Sequence, residues 1–567
     1  MSLLDSKTLG PTRLGFADEK DLEAFVSMLE RYERGEISAD QWKAFRLVNG
    51  VYSQRQEADH MMVRVKIPQG ILTPGQLRAL AEVARRFSTG RGHLTTRQNI
   101  QFHFVPLRQS SEALRVLADA GLTTREACGN SVRNVTTCPF AGASALEPFD
   151  STPWAEALTR HLLRGPLSAS LPRKFKIAFG GCCGTDCVGA SFNDIGFLAR
   201  VREGKRGFRV TIGGGLSTLR RTGILAHEFA PAEEVLEIAD AVVRVFNRTG
   251  DRKNKHKARL KFVIDALGPE AFLAQYRKER EDLHIAPELL PQPLRTPRTP
   301  HPRPPRPGFE KFVETNVRAQ RDPERAAVTV RVPLGDLTSA QLGALARIAE
   351  EFSEEGEIRT TVEQNVLLRF VARQHLASLH AALDEAGLAL PGARTAGDVT
   401  SCPGAFSCRL AVTASRGMAA ELTRALNGSP EPLAIKISGC PNGCGQHYVA
   451  GIGLQGSVRK VNGRAVPQYH LYLGGGFGVE QAHFGRLAAK LPARRVAEAV
   501  ARLVGLYNRE RNPSEPPEAF LARLPQPRVE ALLGDLEELK DPTPEDFIDL
   551  GEEKPFAVQI SEGECAT

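Results

Sequence analysis

Four cysteines on two short loops constrain this chain more than any other feature. The first loop reads T-S-C-P-G-A-F-S-C, Thr400 to Cys408, and the second K-I-S-G-C-P-N-G-C-G-Q-H, Lys436 to His447. Five residues separate Cys402 from Cys408, and three separate Cys440 from Cys444. Four thiolates delivered this way can hold a metal ion or an iron–sulfur cube. Structural zinc knuckles usually leave about two to four residues between ligands, so the wider first pair favours a cluster. Proline and glycine beside the ligands turn the chain sharply and leave backbone N–H groups free to point at sulfur. Four buried free thiols are the bland alternative, and the spacing disfavours it.

The rest of the composition bounds the setting. A chain of 567 residues is long enough for three or four domains, and 42% hydrophobic with 25% charged residues is ordinary for a soluble protein. No run approaches the roughly 18 apolar residues of a membrane span, and M-S-L-L-D-S-K lacks the regions of a signal peptide. The ten cysteines sit mostly at motifs rather than in a disulfide framework, so a reducing, cytoplasmic setting is expected. A net charge of +8 suits acidic partners. No basic stripe with interleaved aromatics supports nucleic-acid binding, and part of the excess is Arg295, Arg298, Arg303 and Arg306 among prolines.

The chain repeats. M-V-R-V-K-I-P reads as a strand, Thr73 as a helix N-cap, and Leu77, Leu80, Ala81, Ala84 and Phe87 as a helical apolar stripe. L-T-T-R-Q-N-I-Q-F-H-F, Leu94 to Phe104, reads as a second strand. The order returns 265 residues later with V-T-V-R-V-P, Thr338, then Leu342, Leu345, Ala346, Ala349 and Phe352, then R-T-T-V-E-Q-N-V-L. Gln364 and Asn365 match Gln98 and Asn99 once one residue is inserted, and R-N-V-T-T-C-P-F-A at Arg133 resembles G-D-V-T-S-C-P-G-A at Gly397. Two copies at so long a period indicate duplication, not a solenoid. Pro291 to Pro307 between them reads as an extended connector. The expected fold is α+β and α/β, in two pseudo-symmetric halves, each a ferredoxin-like unit followed by a larger α/β unit.

Three stretches alternate cations or amides with apolar residues: Arg64 and Lys66; Arg97, Asn99, Gln101 and His103; Lys174 and Lys176. Alternation on a strand buries one face and presents a donor-rich one. Solvated faces usually mix charge signs, and these carry no carboxylate. They make sense if they converge on a polyanion.

The two cysteine motifs resemble the cluster-binding signature of the sirohaem-containing sulfite and nitrite reductases, and the resemblance runs from about Tyr52 to Arg511. It implies that Cys402, Cys408, Cys440 and Cys444 bind a [4Fe–4S] cluster, with Cys444 bridging to the sirohaem iron. It implies that Arg64, Arg133, Lys174 and Lys176 line the substrate pocket. Sirohaem, with its eight carboxylates, would meet Arg97, Gln101 and His103 from the T-x-R-Q-x-x-Q-F-H pattern and the G-G-G-L-S backbone at Gly214 and Gly215. Arg252, Asn254, Lys257 and Arg259 would meet it from N-R-T-G-D-R-K-N-K-H-K-A-R, and Gln364 and Asn365 from the repeat. The implied organisation is a helical extension at 1–57, ferredoxin-like half-domains at 58–126 and 309–394, a sirohaem-binding domain at 127–287, and a linker at 288–308. The cluster-binding domain covers 395–512, and an acidic tail at 513–567 wraps the surface or is disordered.

The implied activity is six-electron reduction of sulfite to sulfide in assimilatory metabolism, with six-electron reduction of nitrite to ammonium as the alternative. Nitrite reductases of this kind resemble R-K-W-N where this chain has R-K-F-K, Arg173 to Lys176, and the second lysine favours sulfite. Without a flavin or nicotinamide fingerprint, electrons would come from another protein, ferredoxin or else a flavoprotein subunit. Tyr52 and Cys128 match a tyrosine–cysteine thioether of some relatives. Cys138, Cys183 and Cys187 read as a vestige of duplication rather than a second cluster, with Cys182 extra and Ser144 in place of a fourth ligand. Cys565 in the tail reads as a reactive thiol or, as for most exposed terminal cysteines, one without a role.

Overall fold

The computed structural model describes residues 14–55, 59–182, 184–292, 294–559 and 564. Its repeat is visible atom by atom. The helices Pro74–Phe87 and Ser339–Phe352 both open on a capping box, with Thr73 and Gln76 in the first and Thr338 and Gln341 in the second exchanging side-chain and backbone hydrogen bonds. Such caps contribute about 1 kcal/mol each by satisfying N–H groups that a helix start leaves open. The apolar stripes of both helices are buried together in one core, with Leu77, Leu80 and Phe87 meeting Leu342, Leu345 and Phe352.

The two ferredoxin-like sheets are interlocked. The first runs Val51–Ser53, His60–Val65, Ile100–Pro106, Arg91–Leu94 and then Asp336–Thr338, a strand of the other half. The second runs Val317–Ala319, Arg325–Val330, Val366–Ala372, Ile358–Thr360 and then Ile71–Leu72, a strand of the first half. Asp336 pairs with His93, and Ile358 pairs with Leu72. Each half therefore completes the other's sheet edge, a position otherwise open to wrong pairing.

The two larger units share one topology. In the first, Thr136–Thr137, Ile177–Gly180 and Ile195–Arg202 are parallel neighbours, and Lys205–Ile212 and Ile224–Pro231 follow antiparallel. In the second, Thr400–Ser401, Ile435–Ser438 and Ile452–Val461 are parallel, followed by Arg464–Leu473 and Arg486–Pro492. Each has its own apolar core.

Amides at matched positions brace the half-domains internally and join them to the larger units. Gln98 Oε1 accepts from Thr137 N at 3.0 Å and Asn99 Oδ1 from Ile67 N at 3.1 Å. In the repeat, Gln364 Oε1 accepts from Ser401 N and Asn365 Oδ1 from Val332 N, each at 2.8 Å. Gln364 Nε2 also donates to Leu94 O at 2.7 Å, across the two halves. Gln364 and Asn365 are thus buried and committed to backbone and to Asp398.

Three sequence expectations change. Leu94 to Phe104 is not one strand: Thr95 Oγ1 accepts from the backbone N–H groups of Arg97 and Asn99, and Gln98 sits at a φ of 59°, so a turn interrupts it. Lys174 and Lys176 precede the strand, which begins at Ile177. The segment after 512 is not simply a tail. Its helices Pro517–Arg523 and Gln526–Glu537 bury Phe520, Leu521, Val529 and Leu533 in the second large core, and Asp549 accepts from Ala414 N at 2.7 Å. Among its described residues the connector up to 306 forms no helix or strand, and its arginines hold it to the second half. Arg295 lies over Phe370 at 3.5 Å, Arg298 Nε donates to Ser353 O, and Arg303 pairs with Glu351 at 3.0 Å. Among the described residues no helix is long and apolar enough to cross a membrane.

Candidate active site

Strand register brings the cysteine loops together. Thr400 pairs with Lys436 and Ser401 with Ile437, so two adjacent parallel strands deliver Cys402 and Cys440 from the same end. Gly439 N donates to Cys402 Sγ at 3.3 Å, as the glycine beside the ligand suggested. At Gly404, with a φ of 58°, a Cβ would lie 2.3 Å from Ser415 Oγ, so only glycine makes this turn. Cys402 and Cys440 are buried, Cys408 half-buried and Cys444 exposed. Burial pushes the Cys402, Cys408 and Cys440 thiols up, Cys408 to about 12, and the neighbouring sulfurs push the same way. These three sulfurs cannot all be thiolates without a strong positive charge among them. The donor set therefore fits an iron–sulfur cluster, which supplies that charge.

Cys444 turns toward the first half. Thr96 Oγ1 donates to Cys444 O at 2.7 Å, and Gly443 abuts the G-G-G-L-S loop at Leu216 and Ser217. That loop is tightly seated: a Cβ on Gly214 would lie 2.4 Å from Ser191 O and 2.7 Å from Asn193 O. Gly214→Ala is expected to displace the loop and lower sirohaem per chain about tenfold, read from visible absorbance against protein; unchanged occupancy would show that the loop does not shape the cofactor site.

Beside Cys444 lies a group of buried and half-buried cations. Arg97 donates from Nη1 to Asn193 Oδ1 at 2.6 Å and from Nη2 to Asn134 O at 2.5 Å. Arg259 pairs with Asp194 at 2.8 Å, and the same carboxylate oxygen accepts from Lys176 N. Burial lowers Arg97 to about 9 against the pull of Asp194, with Arg133 and Arg259 adding to the fall. Lys176 is held well below the ordinary lysine range by burial, then by Arg259, Arg97 and Lys174. Arg97 Nε and Arg259 Nε have no hydrogen-bond partner. Desolvated cations with spare donors are costly unless an anion joins them, and a macrocycle with eight carboxylates fits.

On the neighbouring wall, Arg64 Nη1 and Arg133 Nη1 both donate to Ala127 O, at 3.3 and 3.1 Å. Arg64 also reaches Cys128 Sγ at 3.3 Å and, with the Gln101 amide turned to face it, Gln101 Oε1 at 2.5 and 2.8 Å. Tyr52 stands on the adjacent strand, paired with Met62. Separate Tyr52 and Cys128 peptides at full yield in a reducing tryptic map would rule out a link between them.

His103 is buried with both ring nitrogens unpartnered, and burial holds it neutral at about 3, reinforced by His93 and Arg416. Its ring lies 5.9 Å from Phe406, within the first cysteine loop. Arg416 stacks on the same Phe406 at 4.5 Å and pairs with Asp336, which also contacts His93 at 2.9 Å. Burial pushes the Asp336 carboxyl up, but His93 and Arg416 outweigh it and hold it well below the carboxylate range. A depressed carboxyl contributes stability that is complete above its unfolded pKa of about 4 and fades as pH falls through the folded one. Asp336→Asn is expected to lower stability at pH 7 by about 3 kcal/mol, with the difference from the parent closing only in strong acid; equal denaturant midpoints at pH 7 would dismiss it.

The run after Asn247 divides. Arg252, Asn254 and Lys257 are exposed, Arg252 donating to Ser170 O and Asn254 capping the turn that follows, while Arg259 alone of the four joins the buried cations. Lys261 lies two residues beyond Arg259, outside the matched motif. It is buried, lowered to about 8 by burial and then Arg259, and donates to Leu216 O at 3.0 Å, bracing the glycine loop. Asn193 and Asp194 had no motif to mark them. Cys183 and Cys565 lie outside the described residues.

Known proteins share this arrangement. Residues 128–283 and 392–524 match the nitrite and sulphite reductase 4Fe-4S domain, and residues 52–120 and 318–386 match the nitrite/sulfite reductase ferredoxin-like half domain. The ferredoxin–nitrite reductase of Synechococcus elongatus is 33% identical over 77% of this chain and 84% of the relative. A ferredoxin sulfite reductase of Mycobacterium tuberculosis is 30% identical over 81% of each chain. The solved structure of M. tuberculosis NirA superposes with a TM-score of 0.75 at 27% identity, covering 92% of this chain and 98% of that one. Two matched half-domains, two matched cluster-type domains and a cysteine set that fits the cofactor place this chain in the nitrite and sulfite reductase family, whose members use sirohaem and a [4Fe–4S] cluster.

Proposed function

We propose that this chain reduces sulfite to sulfide, drawing six electrons singly from ferredoxin. Bound sirohaem and cluster supply the redox chemistry and the electron path, while the protein supplies charge, protons and position. Arg64 and Arg133, tethered side by side at Ala127 O, present guanidinium groups to the oxyanion. Lys174 and Lys176 supply protons as oxygens leave as water. Lys176 suits this, because burial and the like charges of Arg259, Arg97 and Lys174 weaken its hold on its proton.

The single observation that carries sulfite over nitrite is this second lysine inside a cation-lined site, since sulfite is the more highly charged anion and sheds more oxygen. Nitrite is the second reading, supported by relatives named as nitrite reductases, at 33% identity in S. elongatus and 32% in Haloferax mediterranei. Ferredoxin as donor is supported by the relatives' names and by the basic charge balance. Turnover with each anion under a reduced artificial donor, quantifying sulfide and ammonium, tests the choice. A higher kcat/KM for sulfite supports the reading, and a reversed ratio moves it to nitrite.

A further inference from the structure

We propose that Cys138, Cys182 and Cys187 form a second thiolate site, which takes one thiophilic divalent ion of the zinc class. Their three sulfur atoms lie within 4.8 Å of one another. A tetrahedral ion with metal–sulfur bonds of about 2.3 Å sets its sulfurs roughly 3.8 Å apart, a separation that Cys138 and Cys182 reach only once the bond between them is reduced.

The site occupies the pseudo-symmetric place of the cluster. Thr137 pairs with Phe179 as Ser401 pairs with Ile437, and Cys138 N donates to Phe179 O as Cys402 N donates to Ile437 O, at 3.1 and 3.2 Å. Cys182 stands two residues beyond the strand Ile177–Gly180, as Cys440 stands two beyond Ile435–Ser438. Cys187 precedes the turn Ala190–Phe192 by three residues, as Cys444 precedes His447–Val449. The register therefore pairs Cys182, rather than Cys183, with Cys440.

What differs is the fourth ligand. Ser144 stands where Cys408 would, and its Oγ accepts from Leu146 N at 3.2 Å. Val362 replaces the counterpart of Thr96 and packs with Ala141, Ala178, Val188 and Leu198 around the sulfurs. Among the described residues three soft donors meet in a largely apolar pocket, with Cys187 partly exposed as the entry, and three suffice for one ion with an open position.

Cys138 and Cys182 are joined as a disulfide here, so the ion belongs to the reduced form. A dithiol reductant transfers two electrons and two protons to that bond, leaving two thiols and its own cyclic disulfide. The ion then displaces one proton from each of the three thiols, forming three metal–sulfur bonds.

The test uses the cofactor-loaded full chain, reduced anaerobically with dithiothreitol, given one equivalent of zinc and desalted against a weak chelator. The parent is expected to retain about one zinc per chain, and Cys187→Ser and Cys138→Ser less than about a tenth of that, with iron and sirohaem unchanged in all three. Cys187→Ser leaves the two partners of the disulfide in place, which separates metal loss from misfolding. Equal zinc in parent and variants, or none in the parent, overturns the proposal. Iron above five atoms per chain that disappears in the variants overturns it in favour of a second cluster.

Discussion

Cys440→Ser is expected to yield a folded chain stripped of its cluster, with iron falling by about four atoms and turnover with either anion below about 1% of the parent. A serine oxygen is a hard, poorly ionised donor, and the recess was built for sulfur: Cys440 is 7% exposed, and burial and three neighbouring sulfurs already push its thiol up. Sirohaem is expected to fall with the iron, because Cys444, the ligand nearest the glycine loop, loses the cluster that would fix its position there. Far-ultraviolet circular dichroism should be unchanged, since Cys440 lies beyond its strand. Iron content within error of the parent would remove Cys440 from the ligand set.

Lys176→Ala is expected to behave differently. Sirohaem occupancy should stay near the parent's, because Arg97, Arg259 and Lys261 remain, while kcat should fall about a hundredfold or more, the usual effect of losing a proton donor. Lys176→Arg should restore charge without restoring rate, since a guanidinium keeps its proton. Rate should also fall as pH rises above the lysine's lowered titration point, a limb the alanine variant lacks. If sirohaem and activity decline together, Lys176 is a cofactor-holding residue and its proton-donor role is wrong.

The sequence made some of this legible and hid the rest for identifiable reasons. Thr73 and Thr338 read as caps because capping depends on residues three apart, and both formed the boxes. The cysteine loops read correctly as loops because proline and glycine act locally. Alternation places Arg97 on a strand, yet it reaches the cations from a turn that Thr95 makes with its side chain, an effect the period-two pattern does not see. Lys66 shared the alternation with Arg64 but is sealed in, donating to Val132 O at 3.3 Å near Glu126. Helices beyond residue 512 were obscured by their prolines and acidic neighbours. In the structure those prolines stand in the first turn, where a missing N–H costs nothing.

The exchanged strands also set a timetable for biosynthesis. His93 waits for Asp336, 243 residues later in the chain. At translation speeds of about 5–20 residues per second, the first sheet spends roughly ten to fifty seconds with an unpaired edge after its own residues have emerged. Each half leaves a sheet edge open until the other supplies its strand, an interval in which a nascent-chain chaperone can act. Cofactor insertion must wait until the second half has emerged to close the first.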